Sequence, residues 1–187
     1  MSEPLEPASP GVWLWPPYRH HFQGRTNGCG PAALSIALSR LDRGSPSPEQ
    51  MSRLLSPQRV PYILATPPWA LELIARKLGF RCNATWRGSL EDVTRALEAG
   101  RSIIVLVRPL DFTRSPPWAL HYRSVAGVET DRSGVSWVWL ACSALGHGEK
   151  RIGGSAHPAN LRFSIEEFLN HWSVCGAVRW MLELSVV

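Results

Sequence analysis

The sequence predicts a single α+β domain, because capped helices come first and strands of an antiparallel sheet follow. Helix-start and helix-stop residues bracket four segments before position 101 and one after position 163. Short apolar runs of strand length fill much of the second half, with turn residues between them. A chain of 187 residues can bury one sizeable core, and no internal repeat or long linker divides it. We therefore expect an irregular arm over residues 1–19 and one domain over residues 20–187.

Three helices are predicted in the first half of the chain. The first follows Gly30 in "PAALSIALSRL". The second begins at Ser47, whose spacing to Gln50 is that of a capping box. The third lies in "TPPWALELIARKLG", where Thr66 is the expected N-cap and Gly79 ends the helix. Its apolar residues recur at helical spacing, so one face of it should be buried.

The second half alternates between strands and two further helices. A capped helix in "SLEDVTRALEAG" ends at Gly100 and leads into "SIIVLV", which is typical of a buried strand. The strands "HYRSVAGVE" and "GVSWVWLAC" flank the turn "TDRSG". A polar loop is expected over residues 143–162. The helix "SIEEFLNHW" follows, with Ser164 and Glu167 as its capping box, and "AVRWMLELSVV" closes the chain as a strand.

Composition and charge limit the classes of function. The sequence is 44% apolar and 19% charged, which is typical of a globular protein. Its net charge of +5 is scattered rather than clustered on a stripe, so we expect no nucleic-acid partner. The N-terminus lacks the basic start and apolar run of a signal peptide. The longest strongly apolar run, "IIVLV", is too short to span a membrane. We expect a cytoplasmic protein with reduced cysteines.

The segment "QGRTNGCGPAAL" places one of these cysteines where a loop becomes a helix. A helix N-terminus lowers the pKa of a cysteine, which makes Cys29 a candidate nucleophile. Gly28 and Gly30 allow tight turns and the close approach of a substrate. Attack on a carbonyl creates an oxyanion that needs hydrogen-bond donors. The Cys29 amide and the side chain of Gln23 are the candidates, the alternative being a buried cysteine with an unrelated glutamine.

A nucleophilic cysteine needs a base, and His121 is the candidate among six histidines. It alone starts a strand, in "WALHYRSVAGVE", after a loop rich in proline and tryptophan. A histidine at the mouth of a strand can face a cleft while the strand fixes its position. A purely structural histidine is the alternative.

Taken together, four segments resemble the papain-like cysteine peptidases. They are "QGRTNGCGPAAL", "ATPPWALELIARKLGF", "HYRSVAGVE" and "FSIEEFLNHW", which cover roughly residues 20–175 in the family's order. The resemblance is to the bacteriocin-processing, double-glycine-leader branch and its stand-alone relatives. It implies a papain-like fold, with an N-terminal helical half packed against an antiparallel sheet.

The resemblance also implies an activity and roles for three residues. It makes Cys29 the nucleophile, His121 the base and Gln23 the oxyanion donor. Such peptidases cut peptide bonds after small residues, often glycine, and use no metal or other cofactor. The implied partner is a peptide or protein substrate, and the oligomeric state is not predicted.

The sequence departs from this family at the acidic residue that orients the histidine. If the hairpin turns near Arg132, the position opposite His121 is near 143, where the sequence is "LACSALGHG". Cys142 and Ser143 therefore occupy the position, and neither carries a carboxylate. The Ser143 hydroxyl or a backbone carbonyl can accept a hydrogen bond from the imidazole. Two polar residues of the loop that follows, Glu149 and Asn160, are further candidates for this contact.

A zinc site is a competing interpretation for part of this region. The spacings C-x4-H and H-x3-C are ones that soft zinc ligands adopt, and they join Cys142, His147, His171 and Cys175. The two pairs are far apart in the sequence, so we favour core or surface roles for these residues and expect no metal.

The tryptophans suggest where an extended peptide would bind. Four of them lie near the arm, a helix start or the loop before His121, and they are Trp13, Trp15, Trp69 and Trp118. Ordinary packing is the favoured interpretation, and an aromatic groove containing Trp118 is the functional alternative. Arg108 and Arg114 would suit an acidic leader peptide. Three classes of function stay open, namely a cysteine peptidase, an acyltransferase or transpeptidase on the same fold, and a catalytically silent peptide-binding module.

Overall fold

The structure is a computed structural model of the chain. It describes residues 23, 28–41, 46–60, 65–108, 119–130, 136–144, 161–174 and 178–187. The expected arm over residues 1–19 lies outside the described residues, and so does most of the loop expected over residues 143–162. The extent of the single domain therefore stays a prediction.

The described residues form five α-helices and six strands. The helices are α1 (Cys29–Ser39), α2 (Pro48–Leu55), α3 (Pro68–Lys77), α4 (Leu90–Glu98) and α5 (Ile165–Trp172). The strands are β1 (Phe80–Thr85), β2 (Ser102–Val107), β3 (His121–Thr130), β4 (Ser136–Ala141), β5 (Leu161–Ser164) and β6 (Met181–Val186). They form one sheet in the order β1-β6-β2-β3-β4-β5, and every adjacent pair is antiparallel. The α+β class predicted from the sequence is confirmed.

Local capping chemistry accounts for half of the boundaries of the five described helices. The side chains of Ser47, Ser89 and Ser164 each accept a hydrogen bond from the backbone amide three residues later. The side chain of that later residue in turn accepts a hydrogen bond from the backbone amide of the serine. Gly79 has φ 85° and Gly100 has φ 69°, a backbone conformation that favours glycine. The predicted capping boxes at Ser47 and Ser164 and both helix ends are confirmed.

The N-cap predicted at Thr66 is wrong. Helix α3 begins one residue later, with Pro67 as an N-cap that makes no side-chain hydrogen bond. Thr66 is buried, and its carbonyl accepts a hydrogen bond from the Tyr122 hydroxyl at 2.8 Å. Its side chain packs against the backbone of Gly30. Tertiary contacts with α1 and β3 therefore fix Thr66, where the sequence indicated a local cap.

Two edge strands were not predicted from the sequence. Among the described strands, β1 lies at the edge of the sheet and pairs with β6. Its residues do not alternate regularly between buried and exposed positions. Strand β5 has four residues and begins inside the loop expected over residues 143–162. Each strand is stabilised by pairing with a distant part of the chain, and short local patterns do not encode such pairing.

In the described residues the sheet separates two large hydrophobic cores, and a smaller cluster lies around Ile36 of α1. Helices α1, α2 and α3 pack on one face, with Leu34 and Leu71 among their buried residues. Helices α4 and α5 pack on the other face, with Leu97 and Phe168 among theirs. The expected packing of the N-terminal helices on the sheet is confirmed, and the second helical layer completes the structure.

Strand β3 contributes to both cores because its side chains alternate in direction. Tyr122 belongs to the core under α1, and Val125 belongs to the core under α4 and α5. A register shift between Val125 and Gly127 restarts the alternation, so Val128 again faces the second core. The first residue of this strand, His121, starts from the same face as Val125 and contacts Cys142 of the second core.

The contact between Gly30 and Thr66 predicts a stability effect. A Cβ added at Gly30 would lie 2.8 Å from the Thr66 Cβ, so Gly30→Ala overpacks the site. We expect a loss of about 1–3 kcal/mol in the free energy of unfolding, measured by urea denaturation.

Gly127→Ala is the matched control, since Gly127 has no heavy atom within 4 Å of an added Cβ. It should change the free energy of unfolding by less than about 0.5 kcal/mol. Equal losses in the two variants would contradict the packing role of Gly30.

Candidate active site

Cys29 is the first residue of α1, and its thiol is partly buried between the helix and the sheet. Gly28 is the N-cap and provides no side-chain cap, so the amides of the first turn face the loop. The sulfur accepts hydrogen bonds from the backbone amides of Tyr122 and Gly30. Burial nevertheless raises the pKa of the Cys29 thiol, and this effect outweighs those hydrogen bonds.

His121 is the first residue of β3, and its imidazole contacts the sulfur of Cys142. The distance from His121 Nε2 to Cys142 Sγ is 3.3 Å. Loss of hydration lowers the pKa of His121 to about 3, and the nearby Arg123 guanidinium acts in the same direction. The imidazole is therefore neutral at neutral pH.

The β3–β4 hairpin decides which residue reaches His121. Ser124 pairs with Ala141, so the residues that follow Ala141 lie beside the start of β3. Side chains along this stretch alternate between the two faces of the sheet. Cys142 lies in the second core, on the side of His121, whereas Ser143 turns the other way. Of the two residues predicted for this position, the structure brings Cys142 to the imidazole.

Ser143 contacts Gln23 instead of His121. The Ser143 hydroxyl donates to Gln23 Oε1 at 2.6 Å, and the Gln23 backbone amide donates to the Ser143 carbonyl at 2.8 Å. These two bonds connect the loop before α1 to the end of β4. They also orient the Gln23 side chain, because the acceptor oxygen faces Ser143 and the donor Nε2 lies on the opposite side.

Cys29 and His121 lie on adjacent elements but do not form a hydrogen bond with each other in the described part of the chain. The link between them is indirect, since the Cys29 sulfur bonds to the amide of Tyr122, the residue after His121. Cys142 is close enough to both residues to affect the charge of Cys29 and to contact the imidazole. In this geometry the Cys29 thiol and the imidazole are both neutral.

A surface cavity of about 520 Å³ lies beside Gln23 and Gly28, and neither Cys29 nor His121 lines it. Gln23 and Gly28 line it together with the first turn of α1, and helix α2 forms the opposite wall. The wall residues from the two helices are Pro31, Ala32, Pro48, Glu49, Ser52 and Arg53, and Ser56 directly after α2 completes the lining. Gly28 therefore lies at a cavity as well as at a helix start, whereas Gly30 is buried against Thr66.

Sequence reasoning missed two contributors to this region. One is Tyr122, whose amide binds the Cys29 sulfur and whose hydroxyl binds the Thr66 carbonyl. The other is Arg123, which is 1% exposed. An arginine inside the apolar strand "HYRSVAGVE" was a detectable signal, because a guanidinium in a core position is rare without a specific partner.

Several residues considered from the sequence lie outside the described residues. They are Trp13, Trp15, Arg114, Trp118, His147, Glu149, Asn160 and Cys175. Trp69 is described and is 57% exposed at the start of α3. Arg108 follows β2, and its amide donates to the His171 carbonyl at 2.9 Å. The aromatic groove and the loop candidates for a histidine partner therefore stay predictions.

Within the described ranges, no group of three or more histidine, cysteine, aspartate or glutamate side chains is placed to hold a metal ion. Two of the four suggested zinc ligands, His147 and Cys175, lie outside those ranges. The described helices are also too short or too polar to cross a membrane.

The fold is that of the papain-like C39 cysteine peptidases. The peptidase domain of Streptococcus ComA, a bi-functional ABC transporter involved in a quorum-sensing pathway, superposes with a TM-score of 0.58 at 20% identity, covering 91% of this chain and 99% of that one. A C39-like peptidase from Bacillus anthracis superposes with a TM-score of 0.56 at 12% identity, covering 96% of each chain. No protein-family model and no curated protein matches the sequence. The structural likeness confirms the predicted resemblance and fold.

The neutral state of His121 predicts a pH effect on stability. Below the ordinary histidine pKa of 6.5 the unfolded chain binds a proton that the folded chain takes up only near pH 3. Stability should therefore fall as the pH drops through this window. In His121→Gln, the free energy of unfolding should fall on acidification by on the order of 2 kcal/mol less than in the parent. This figure is smaller than the full pKa shift of His121 implies, because part of the His121 surface stays in water.

Urea unfolding of both proteins at about pH 7 and pH 4 measures this effect. The first pH lies above the ordinary histidine pKa, and the second lies between the unfolded and the folded pKa values of His121. Parallel pH dependence in the parent and in His121→Gln would show that the folded imidazole is protonated like a free histidine.

Proposed function

We propose that the protein is a cysteine peptidase that cleaves a peptide or protein substrate through an acyl-enzyme on Cys29. The observation that carries this proposal is the convergence of four separate segments on one place. The start of α1, the start of β3, the end of β4 and the loop residue Gln23 meet through the Cys29–Tyr122, His121–Cys142 and Gln23–Ser143 contacts. The C39 peptidase fold of the chain supports the same activity.

In the proposed reaction His121 acts as general base and general acid. It takes the thiol proton as the sulfur of Cys29 attacks the carbonyl carbon, and it returns that proton to the leaving amine as the C–N bond breaks. Water then attacks the thioester, releases the acid product and restores the thiol. Both groups start neutral, with the imidazole a weak base and the thiol a weak acid, so the proposed reaction requires substrate binding to change their surroundings before the proton moves.

The remaining residues of the site position these groups. Gln23 Nε2 and the Cys29 amide are the proposed donors to the oxyanion. Ser143 holds the Gln23 side chain in the required orientation through its bond to Oε1. Cys142 contacts His121 Nε2 and orients the ring, which is the role of the absent carboxylate.

The cavity between α1 and α2 is the proposed site for part of the substrate. It opens beside Gln23 and Gly28, and Glu49 and Arg53 of α2 give its wall both signs of charge. Cleavage after a small residue such as glycine, and an aromatic groove that includes Trp118, belong to the same proposal. A cytoplasmic location stays a prediction from the sequence.

A peptide-binding module without activity is the second candidate. Two observations favour it, namely the lack of a direct Cys29–His121 hydrogen bond in the described part of the chain and the raised pKa of the Cys29 thiol. This candidate predicts that a peptide binds equally well to the parent and to Cys29→Ala, and that neither protein cleaves it.

The activity is tested with a pool of internally quenched peptides that carry glycine before the scissile bond. We expect the parent to cleave members of the pool, and Cys29→Ala to abolish cleavage because the nucleophile is lost. His121→Ala should lower kcat/KM by about 10²–10⁴-fold, the usual contribution of a general base.

Cys82→Ala is the matched control, because Cys82 is also a partly buried free thiol but lies on the edge strand β1. It should cleave like the parent. Intact peptides, with no acyl adduct on Cys29 by mass spectrometry, would exclude the peptidase and leave the binding module. Product joined to added glycinamide would instead indicate an acyltransferase.

The Gln23–Ser143 pair predicts a graded loss of activity. Gln23→Ala removes a proposed oxyanion donor and should lower kcat by about 10²-fold or more. Ser143→Ala keeps the Gln23 donor but removes the hydrogen bond that orients the Gln23 side chain. We expect a smaller loss of kcat, about 10-fold, because one neutral hydrogen bond contributes about 1 kcal/mol. A larger loss in Ser143→Ala than in Gln23→Ala would contradict this order of roles.

A further inference from the structure

The cavity between α1 and α2 contains an arginine whose side chain is not used by the fold. Arg53 lies on α2 and lines the cavity. Its side chain has no ion-pair or hydrogen-bond partner among the described residues, where the ion pairs join other arginines to Glu72, Asp92 and Glu183. A guanidinium stays protonated under ordinary conditions, so this wall has a permanent positive charge and N–H donors to offer.

Two hydroxyl groups lie on the same face of α2 as this guanidinium. Ser52 precedes Arg53, and Ser56 at the C-cap follows Ser52 by four residues, so helical spacing places all three at the cavity. Neither hydroxyl has a hydrogen-bond partner among the described residues. The opposite face of α2, with Met51 and Leu55, packs into the core. Three donor groups therefore face one cavity without a described acceptor.

The one carboxylate among the described lining residues already serves the start of α2. Glu49 lies in the first turn, where a negative charge offsets the positive end of the helix dipole. Its Oε2 accepts a hydrogen bond from the Ser47 hydroxyl at 2.7 Å. Glu49 and Arg53 have the i,i+4 spacing of a helix ion pair, yet no such pair joins them in the described part of the chain. The guanidinium is therefore accessible to a ligand.

The opposite wall of the cavity adds positive potential of its own. Helix α1 has no acidic residue in its first turn, and its N-cap Gly28 provides no side-chain cap. The positive end of the α1 dipole therefore has no carboxylate beside it within that turn. The volume of about 520 Å³ lies within the range of about 300–1,000 Å³ that is typical of ligand sites. Such a volume accommodates a side chain together with its flanking backbone.

We infer that this cavity binds a carboxylate of the substrate, with Arg53 as the residue that sets the preference and Ser52 and Ser56 as further donors. The inference rests on the proposed function, since it assigns a substrate class to that site. Gln23 and Gly28 also line the cavity, so the group bound there belongs to a residue near the scissile bond. An aspartate or glutamate side chain and a peptide C-terminus both present this carboxylate, which an arginine binds through two parallel hydrogen bonds.

The test moves one aspartate along the glycine-containing quenched peptides, one position at a time on both sides of the scissile bond. Asparagine at the same position is the uncharged match. We expect one position at which aspartate raises kcat/KM about 10-fold over asparagine, the usual effect of a hydrogen bond to a charged group. Arg53→Gln should reduce this ratio to about one. Arg53→Lys should keep part of it, because the charge stays while the planar fork is lost.

Binding is measured separately from catalysis. Fluorescently labelled aspartate and asparagine peptides are titrated against Cys29→Ala and against the double variant Cys29→Ala/Arg53→Gln, and the anisotropy gives Kd. We expect the aspartate peptide to bind about 10-fold more tightly to the first protein, and both peptides to bind equally to the second. Peptides with a free and with an amidated C-terminus identify the source of the carboxylate. An Arg53-dependent preference for the free acid in the asparagine peptides would assign the cavity to a C-terminus.

Arg87→Gln is the matched control. Arg87 is an exposed arginine outside the cavity, and its side chain has no partner among the described residues. The net charge of +5 attracts any acidic peptide, and Arg87→Gln lowers that charge as much as Arg53→Gln does. Arg87→Gln should keep the preference for aspartate. Equal reductions in the two variants would assign the preference to general attraction and overturn the inference.

The remaining outcomes separate the inference from the proposed function. Cleavage that does not depend on the position of the aspartate, or a preference for lysine that Glu49→Gln removes, overturns the inference and leaves the peptidase. An Arg53-dependent preference in binding without any cleavage keeps the carboxylate site and rejects the peptidase. Neither binding nor cleavage of any acidic peptide rejects both. Circular dichroism checks that Arg53→Gln folds, as expected for an exposed helix position.

Discussion

The contact between α1 and β3 is the constraint on which the site depends. Ser124 donates to the Ala33 carbonyl at 3.0 Å, and the Tyr122 amide binds the Cys29 sulfur. One helix start and one strand start are thereby held together across the sheet surface. Because Gly30 has no side chain, Thr66 fits against the helix at this level and accepts the Tyr122 hydroxyl bond. The proposed nucleophile, Cys29, and the strand of the proposed base, His121, are positioned by the same few contacts.

The candidate site also depends on the alternation of side chains in β4 and its continuation. Consecutive residues there point to opposite faces, so Cys142 and Ser143 have different partners although they are neighbours in the sequence. One contacts the imidazole, and the other fixes the glutamine. A shift of the hairpin by a single residue would turn each of these side chains to the opposite face, so the proposed chemistry depends on the β3–β4 register.

The sequence predicted best what is decided locally. Ser47, Ser164, Gly79 and Gly100 mark helix ends through interactions within a few residues, and the structure has them as predicted. The candidate nucleophile was recognisable because a cysteine between two glycines begins a helix. The position of Cys142 beside His121 followed from counting along a hairpin, although the count alone left Ser143 equally open.

Features that depend on distant parts of the chain could not be predicted in this way. Thr66 has the sequence of an N-cap, but its environment is set by Gly30 and Tyr122, which are far from it in sequence. Strand β1 exists because β6 pairs with it across about one hundred positions, as in the pair Phe80 and Val186. The surroundings of Arg123 likewise include a residue of another strand, Phe163 of β5. In each case the deciding contact is tertiary, and no short pattern records it.

The division of the candidate site between the two faces of the sheet has a consequence for how the site can change. The surroundings of Cys29 belong to the layer of α1–α3, and those of Cys142 belong to the layer of α4 and α5. The sheet stands between the two layers, so the packing of α1 around Cys29 and the packing of Cys142 beside His121 involve different sets of side chains. A substitution in the layer of α4 and α5 can therefore alter the group beside the proposed base without replacing any side chain that packs against the proposed nucleophile.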